Sequence, residues 1–193
     1  MRVTGGELGG RRLRSPEGGV RPTADRVREA LFARLGDLSG ARVLDLYAGS
    51  GALGIEALSR GAESAVFVER SARTAALLRG NLAQLDLSSR ARVLAVDAVA
   101  GIRRLAREGL RFELVFADPP YDSQELARSF AALGETGIVP AGGWLVAETS
   151  TRIAFPGAAG FSELDRRRYG DTVLVRLRAG AAPGDEPGGR GSE

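Results

Sequence analysis

Between about residue 40 and residue 150 the chain alternates short apolar runs with helical patterns without a break. Val43-Leu44-Asp45-Leu46, Ala65 to Glu69, Arg92 to Val96, Phe112 to Ala117 and Trp144 to Glu148 read as strands. Helical stretches separate them: Leu53 to Arg60, a segment capped by Ser71 and running through Leu85, one after Asp97, and one near residues 123–133. Short strands that are apolar on both sides, each followed by a helix, predict a parallel sheet covered by helices on both faces, an α/β fold.

The alternation then stops. Phe161 to Tyr169 and Thr172 to Leu177 flank Gly170-Asp171, a two-residue hairpin signal, which brings the expected sheet to seven strands, mostly parallel, with a C-terminal antiparallel hairpin. Ahead of the sheet, residues 1–23 form a Gly- and Arg-rich arm. In it Val3-Thr4-Gly5-Gly6 and Arg11-Arg12-Leu13-Arg14 can pair as a short hairpin that would bury little. Pro22-Thr23 introduces a helix near residues 24–36, with Val27, Ala30, Leu31 and Leu35 on one face. The expected organisation is an arm over residues 1–23, one catalytic domain over 24–178, and a disordered Gly/Pro-rich tail from Ala179 to Glu193.

Composition removes whole classes of chemistry. The 193 residues include no cysteine and no histidine, which excludes disulfides, thiolate nucleophiles, Ser-His-Asp triads and zinc sites built on those ligands; no metal is expected. No apolar run is long enough to cross a bilayer, and the polar N-terminus lacks the apolar stretch of a signal peptide, so a cytoplasmic protein with no membrane partner is expected. All 27 basic residues are arginine, and seven of them (2, 11, 12, 14, 21, 26 and 28) fall in the first 28 positions against Glu7, Glu17 and Asp25. Guanidinium forks suit phosphates and stack on bases, so the arm suggests nucleic acid, although a solvated arginine-rich surface reads the same way.

Two segments carry chemistry. The first is Gly49-Ser50-Gly51-Ala52-Leu53-Gly54, a G-x-G-x-x-G loop between a strand and a helix, with Glu69 ending the next strand where a carboxylate can accept from both ribose hydroxyls. The loop alone leaves a nicotinamide dinucleotide and S-adenosylmethionine both open. With Asp45 ahead of it, the segment has the D-x-x-x-G-x-G form and resembles that of class I methyltransferases, in which the acid and the loop backbone hold the methionine end of the cofactor. A pyrophosphate gains nothing from an added negative charge. The final hairpin is also the expected ending of such a sheet. Asp97, followed by Ala98, stands where those enzymes place an acid near the adenine amine, and it can equally cap the next helix. The expected cofactor contacts are Asp45, Tyr47, Ala48, Gly49, Ser50, Gly51, Glu69, Asp97 and Ala98.

The second segment is Asp118-Pro119-Pro120-Tyr121, at the carboxyl end of a strand, where open α/β sheets bind their ligands. An exocyclic base amine is a poor nucleophile because its lone pair is delocalised into the ring. The Asp118 carboxylate and the Pro119 carbonyl can accept its two hydrogens and turn the lone pair outward. The two prolines keep these acceptors in place, and Tyr121 offers a face for a base drawn from its stack.

These features together resemble the RsmD family, bacterial enzymes that methylate guanine N2 in 16S ribosomal RNA. Gly5-Gly6, the run Arg21 to Phe32, Asp45 to Ser59, Asp118 to Tyr121 and Tyr169-Gly170-Asp171-Thr172 all follow that family's pattern, over roughly residues 2–178. The resemblance implies a class I, Rossmann-like fold with an N-terminal hairpin and helix extension, and S-adenosylmethionine as cofactor. It also implies 16S ribosomal RNA or the small subunit as partner, and RNA contacts from Arg11, Arg12, Arg21, Thr23, Arg26 and Arg28. Nothing requires more than a monomer. The alternatives are an adenine-N6 or cytosine-N4 methyltransferase on DNA or RNA, a nicotinamide oxidoreductase, and an RNA-binding assembly factor that has kept the fold.

Overall fold

The structure, a computed structural model, describes residues 1–15, 22–119 and 123–180. A helix α1 (Pro22–Leu35) leads into the alternating section: β1 (Arg42–Leu46), α2 (Ala52–Ser59), β2 (Ser64–Val68), α3 (Ala72–Gln84), β3 (Ala91–Leu94), α4 (Ala98–Arg107), β4 (Leu114–Ala117), α5 (Ser123–Thr136) and β5 (Trp144–Ser150). The terminal pair β6 (Phe161–Tyr169) and β7 (Thr172–Ala179) completes it. Ala179, expected to begin the tail, is the last residue of β7 and pairs with Phe161. The expected tail beyond residue 180 lies outside the described residues.

All seven strands join one sheet in the order β3-β2-β1-β4-β5-β7-β6. The first five run parallel and β7 pairs antiparallel with both β5 and β6, as the hairpin signal required. Alternating strand residues feed two cores. Leu44, Leu46, Val115 and Ala117 pack with Ile102 and Leu105 of α4 and Leu126 and Phe130 of α5. Val43, Leu114 and Phe116 pack with Val27, Leu31 and Phe32 of α1, Ile55 and Leu58 of α2, and Leu78 of α3. Helices on both faces thus bury most of β1, β2, β4 and β5, which is why these strands are largely apolar, while the edge strand β3 stays half-buried.

The arm corrects one expectation. Its two segments do pair: Arg2 and Arg12 bridge, Val3 N donates to Arg11 O at 2.9 Å and Leu13 N to Met1 O at 3.0 Å. But the pair is not a loose flap that buries little, because Val3 and Leu13 are 1% and 6% exposed and sit in the α1–α3 core. Polar contacts add to this anchorage. Ser59 Oγ donates to Gly5 O at 2.6 Å, Leu8 N donates to Ser59 Oγ at 2.9 Å, and Arg14 N donates to Asn81 Oδ1 at 2.9 Å. Gly6, at φ 74°, lies so close to α2 that a Cβ there would stand 1.9 Å from Ser59 O. That approach is open only to glycine.

Candidate active site

The carboxyl ends of β1 to β5 open onto a cavity of about 600 Å³, the size of small-molecule and cofactor sites. Its wall includes Tyr47 after β1, Glu69 and Arg70 after β2, Asp97 and Ala98 after β3, Asp118 and Pro119 after β4, Glu125 and Arg128 of α5, and Glu148 to Ser150 of β5. Among the described residues five carboxylates therefore face two guanidiniums, and one of these, Arg70, is already paired with Glu125 at 2.8 Å. A cavity so charged suits a ligand carrying positive charge and opposes a pyrophosphate.

The glycine loop touches the cavity wall through Gly49 N, which donates to Glu69 Oε2, and it adopts backbone geometry that side chains would prevent. Gly49 and Gly51 have φ of 54° and 83°. A Cβ on Gly51 would meet Leu78 Cδ1 at 2.2 Å, and one on Gly54 would meet Phe67 Cε1 at 2.3 Å. Tyr47 also takes a left-handed backbone, φ 59°, which costs a non-glycine residue about 1–2 kcal/mol. Its hydroxyl, 2.6 Å from Ser129 Oγ and donating to Glu125 O at 3.1 Å, ties this strained turn to α5.

The expected residues divide into wall and support. Tyr47, Glu69, Asp97, Ala98, Asp118 and Pro119 line the cavity. Glu69 is oriented by two backbone donors, Gly49 N at 3.0 Å to Oε2 and Ser71 N at 2.7 Å to Oε1, leaving further lone pairs for hydroxyl donors. Asp97 caps α4 by accepting from Ala100 N at 2.9 Å and lines the cavity as well. Asp45 is different: it is 2% exposed and accepts from Gly54 N at 2.9 Å, beneath the loop rather than on the wall. Burial, with the nearby Glu69 charge, pushes its carboxyl up to about 7 against the Gly54 hydrogen bond. Ala48, Gly49, Ser50 and Gly51 likewise shape the loop, with Gly51 N bonded to Ala48 O at 2.7 Å and Ser50 O held by Asn81 Nδ2 at 2.9 Å.

Asp118 is exposed to the open cavity. The protein atoms packed around it, with the charges of Glu148 and Asp45, raise its pKa well above the ordinary carboxylate range. Glu148 is raised by burial too, against a hydrogen bond from Thr172. The other half of the motif, Pro120 and Tyr121, lies outside the described residues, as do Arg21 and the Thr23 side chain. Of the expected RNA contacts, Arg11, Arg12 and Arg26 are exposed. Arg28 is not: it is 5% exposed, with Nη2 donating to Arg2 O and to Asp25 Oδ1 at 2.9 Å and Nε 3.4 Å from Glu56. Its charge holds the arm and is withdrawn from solvent, which corrects its expected role as an RNA contact.

Sequence reading missed Glu125, Arg128 and Glu148. Glu148 had a signal, since it ends a strand in the half of the sheet beside Asp118. Glu125 and Arg128 had none beyond a place on an amphipathic helix.

Residues 1–178 match the model of the family described as Conserved hypothetical protein 95. Ribosomal RNA small subunit methyltransferase D of Escherichia coli (strain K12) is 35% identical over 187 residues, 96% of this chain and 92% of that protein. The chain belongs to the RsmD family. YlbH of Bacillus subtilis (strain 168) is 38% identical over 178 residues, covering 91% of this chain and 97% of YlbH. The solved structure of yhhF from Escherichia coli superposes with a TM-score of 0.84 at 34% identity, over 94% of this chain and 98% of that one. Family membership thus accounts for the arm as well as the domain, because the matched residues include both.

Proposed function

We propose that this protein transfers a methyl group from S-adenosylmethionine to the N2 amine of a guanine in small-subunit ribosomal RNA. The observation that carries the reading is the acidic cavity at the strand ends, lined by Asp118 and Pro119, with the glycine loop hydrogen-bonded to Glu69 on its wall. Membership in a family with ribosomal RNA methyltransferases supports the reaction and the RNA class. The cofactor fits the donor set: Glu69 has lone pairs for two ribose hydroxyls, Asp97 stands at the end of β3 for an adenine amine, and the carboxylate excess suits an ammonium and a sulfonium. The Oε2 atom of Glu125, buried on this wall with no hydrogen-bond partner among the described residues, is a further acceptor.

The cofactor supplies an electrophilic methyl group. The protein's part is to present the amine. Asp118 and the Pro119 carbonyl accept its hydrogens, which localises the nitrogen lone pair for the new N–C bond. S-adenosylmethionine held there would supply the methyl and leave as a thioether with the electrons of the broken C–S bond, while the Asp118 carboxylate would take the proton released from nitrogen. Tyr121 offers a stacking face for the unstacked base. The exposed Arg11, Arg12 and Arg26 of the arm and α1 reach for phosphates of a folded RNA read by its shape. A monomer in the cytoplasm suffices for this chemistry.

The test is transfer of label from S-adenosylmethionine to unmodified 16S RNA, offered naked and as assembled small subunits. Recovery of N2-methylguanosine is expected. Label in N6-methyladenosine or N4-methylcytidine instead would replace the guanine assignment while keeping the reaction.

A further inference from the structure

Glu148 lines the cavity, and no step of the cofactor reading uses it. Its position follows from sheet register. β5 lies parallel to β4 with Ala147 level with Ala117, so the next residues, Glu148 and Asp118, stand side by side at the carboxyl edge. Glu148 adds to the rise of the Asp118 pKa, after desolvation, which requires the two carboxylates to be near one another. Thr172 Oγ1 on β7 donates to Glu148 Oε1 at 3.4 Å and helps to aim the side chain.

The sheet order divides the cavity. The glycine loop, Glu69 and Asp97 follow β1, β2 and β3, on one side of Asp118, whereas Glu148 belongs to β5 on the other. A cofactor held by the first group leaves the β5 side for the base, with Asp118 at the junction.

The three exocyclic amines differ in the ring atom beside them. Guanine N2 has N1–H, a donor, as its neighbour. Adenine N6 and cytosine N4 each lie beside an unprotonated ring nitrogen, an acceptor. An ionised carboxylate only accepts. We propose that Glu148 selects guanine by accepting its N1–H while Asp118 accepts from the N2 amine, an inference that rests on the guanine-N2 reading above. Adenine or cytosine would set a ring lone pair against the Glu148 carboxylate and leave both unpaired, a mismatch that buried polar sites penalise heavily. A cation on the β1–β3 side of Asp118 draws the two acids towards their ionised forms, the state that accepts.

The test uses ligated 16S RNA carrying either guanine or 2,6-diaminopurine at the methylated nucleotide. Diaminopurine keeps the N2 amine but has a bare N1. The native protein should prefer guanine by about 30-fold or more in kcat/KM. In Glu148→Gln the amide can donate to a bare N1, so the guanine substrate should lose about 100-fold while the diaminopurine substrate loses far less. Equal losses on both RNAs, or an unchanged preference, would overturn the selection role. A native protein that methylates both alike would overturn it without any variant, so a misfolded Glu148→Gln leaves the question decidable. Native enzyme that makes N2-methylguanosine but fails these comparisons refutes this inference alone. Native enzyme that labels adenine or cytosine refutes the guanine reading and this inference with it.

Discussion

The backbone amide and the side-chain hydroxyl of Thr4 both donate to the carboxylate of Glu56, each at 2.7 Å. Glu56 is wholly buried on α2, and it also accepts from Arg60 Nε at 2.8 Å and faces Arg28 Nε at 3.4 Å. One carboxylate therefore ties the arm, α1 and α2 together.

Glu56→Ala strands Arg28 as a buried cation with Asp25 as its one remaining carboxylate partner among the described residues. Removing one member of such a buried network costs about 3 kcal/mol or more. Denaturant unfolding should show this loss, and limited proteolysis should newly cut within residues 1–15. An unchanged midpoint with a protected arm would mean that Val3 and Leu13 hold the arm unaided.

Asp118→Ala should separate turnover from binding. Its hydrogen bonds to the amine matter most as the lone pair is released, so kcat should fall by about 10²–10³-fold. The affinity for S-adenosylmethionine, measured by titration calorimetry, should change by less than about fivefold, because other residues hold the cofactor. Equal loss of both would assign Asp118 to cofactor binding.

Asp45 makes stability depend on pH in a defined direction. Its carboxyl, raised to about 7 in the fold from 3.8, keeps a proton that the unfolded chain releases. The contribution favours the fold below pH 4 and is lost as pH climbs through about 7. Asp45→Asn keeps an oxygen for Gly54 N and cannot ionise. Its stabilisation should be larger at pH 8 than at pH 5 by on the order of 2 kcal/mol, read from denaturant curves. A gain that does not vary with pH would show that Asp45 is not the titrating group.

Arg11 and Arg12 are exposed on the arm, with Arg11 Nη2 donating to the Gln84 carbonyl at 3.2 Å. If they meet phosphates, replacing both by alanine should reduce the slope of log kcat/KM against log salt by about 1–2. A parallel line displaced downward would point to a role in shaping the arm instead.

Much of this architecture is written locally. The apolar runs from Val43 to Glu148, the glycines after β1 and the Gly170-Asp171 turn each declare an element through a few adjacent residues, because strand, helix and turn preferences act over that range. Asp118 was legible for the same reason, as an acid followed by two prolines at a strand end. The arm's anchorage was not, because Thr4, Arg28 and Glu56 meet only when α1 and α2 pack, and their separate contexts look like solvated surface. Asp45 read as a cofactor contact, and only the packing of Gly54 above it shows that it supports the loop from beneath. Glu148 gains its meaning from β5 lying next to β4, a pairing set by chain segments far apart in sequence. Local preference names the elements and the motif. Which carboxylates share a cavity, and with what charge, depends on non-local packing that brings the ends of five strands together.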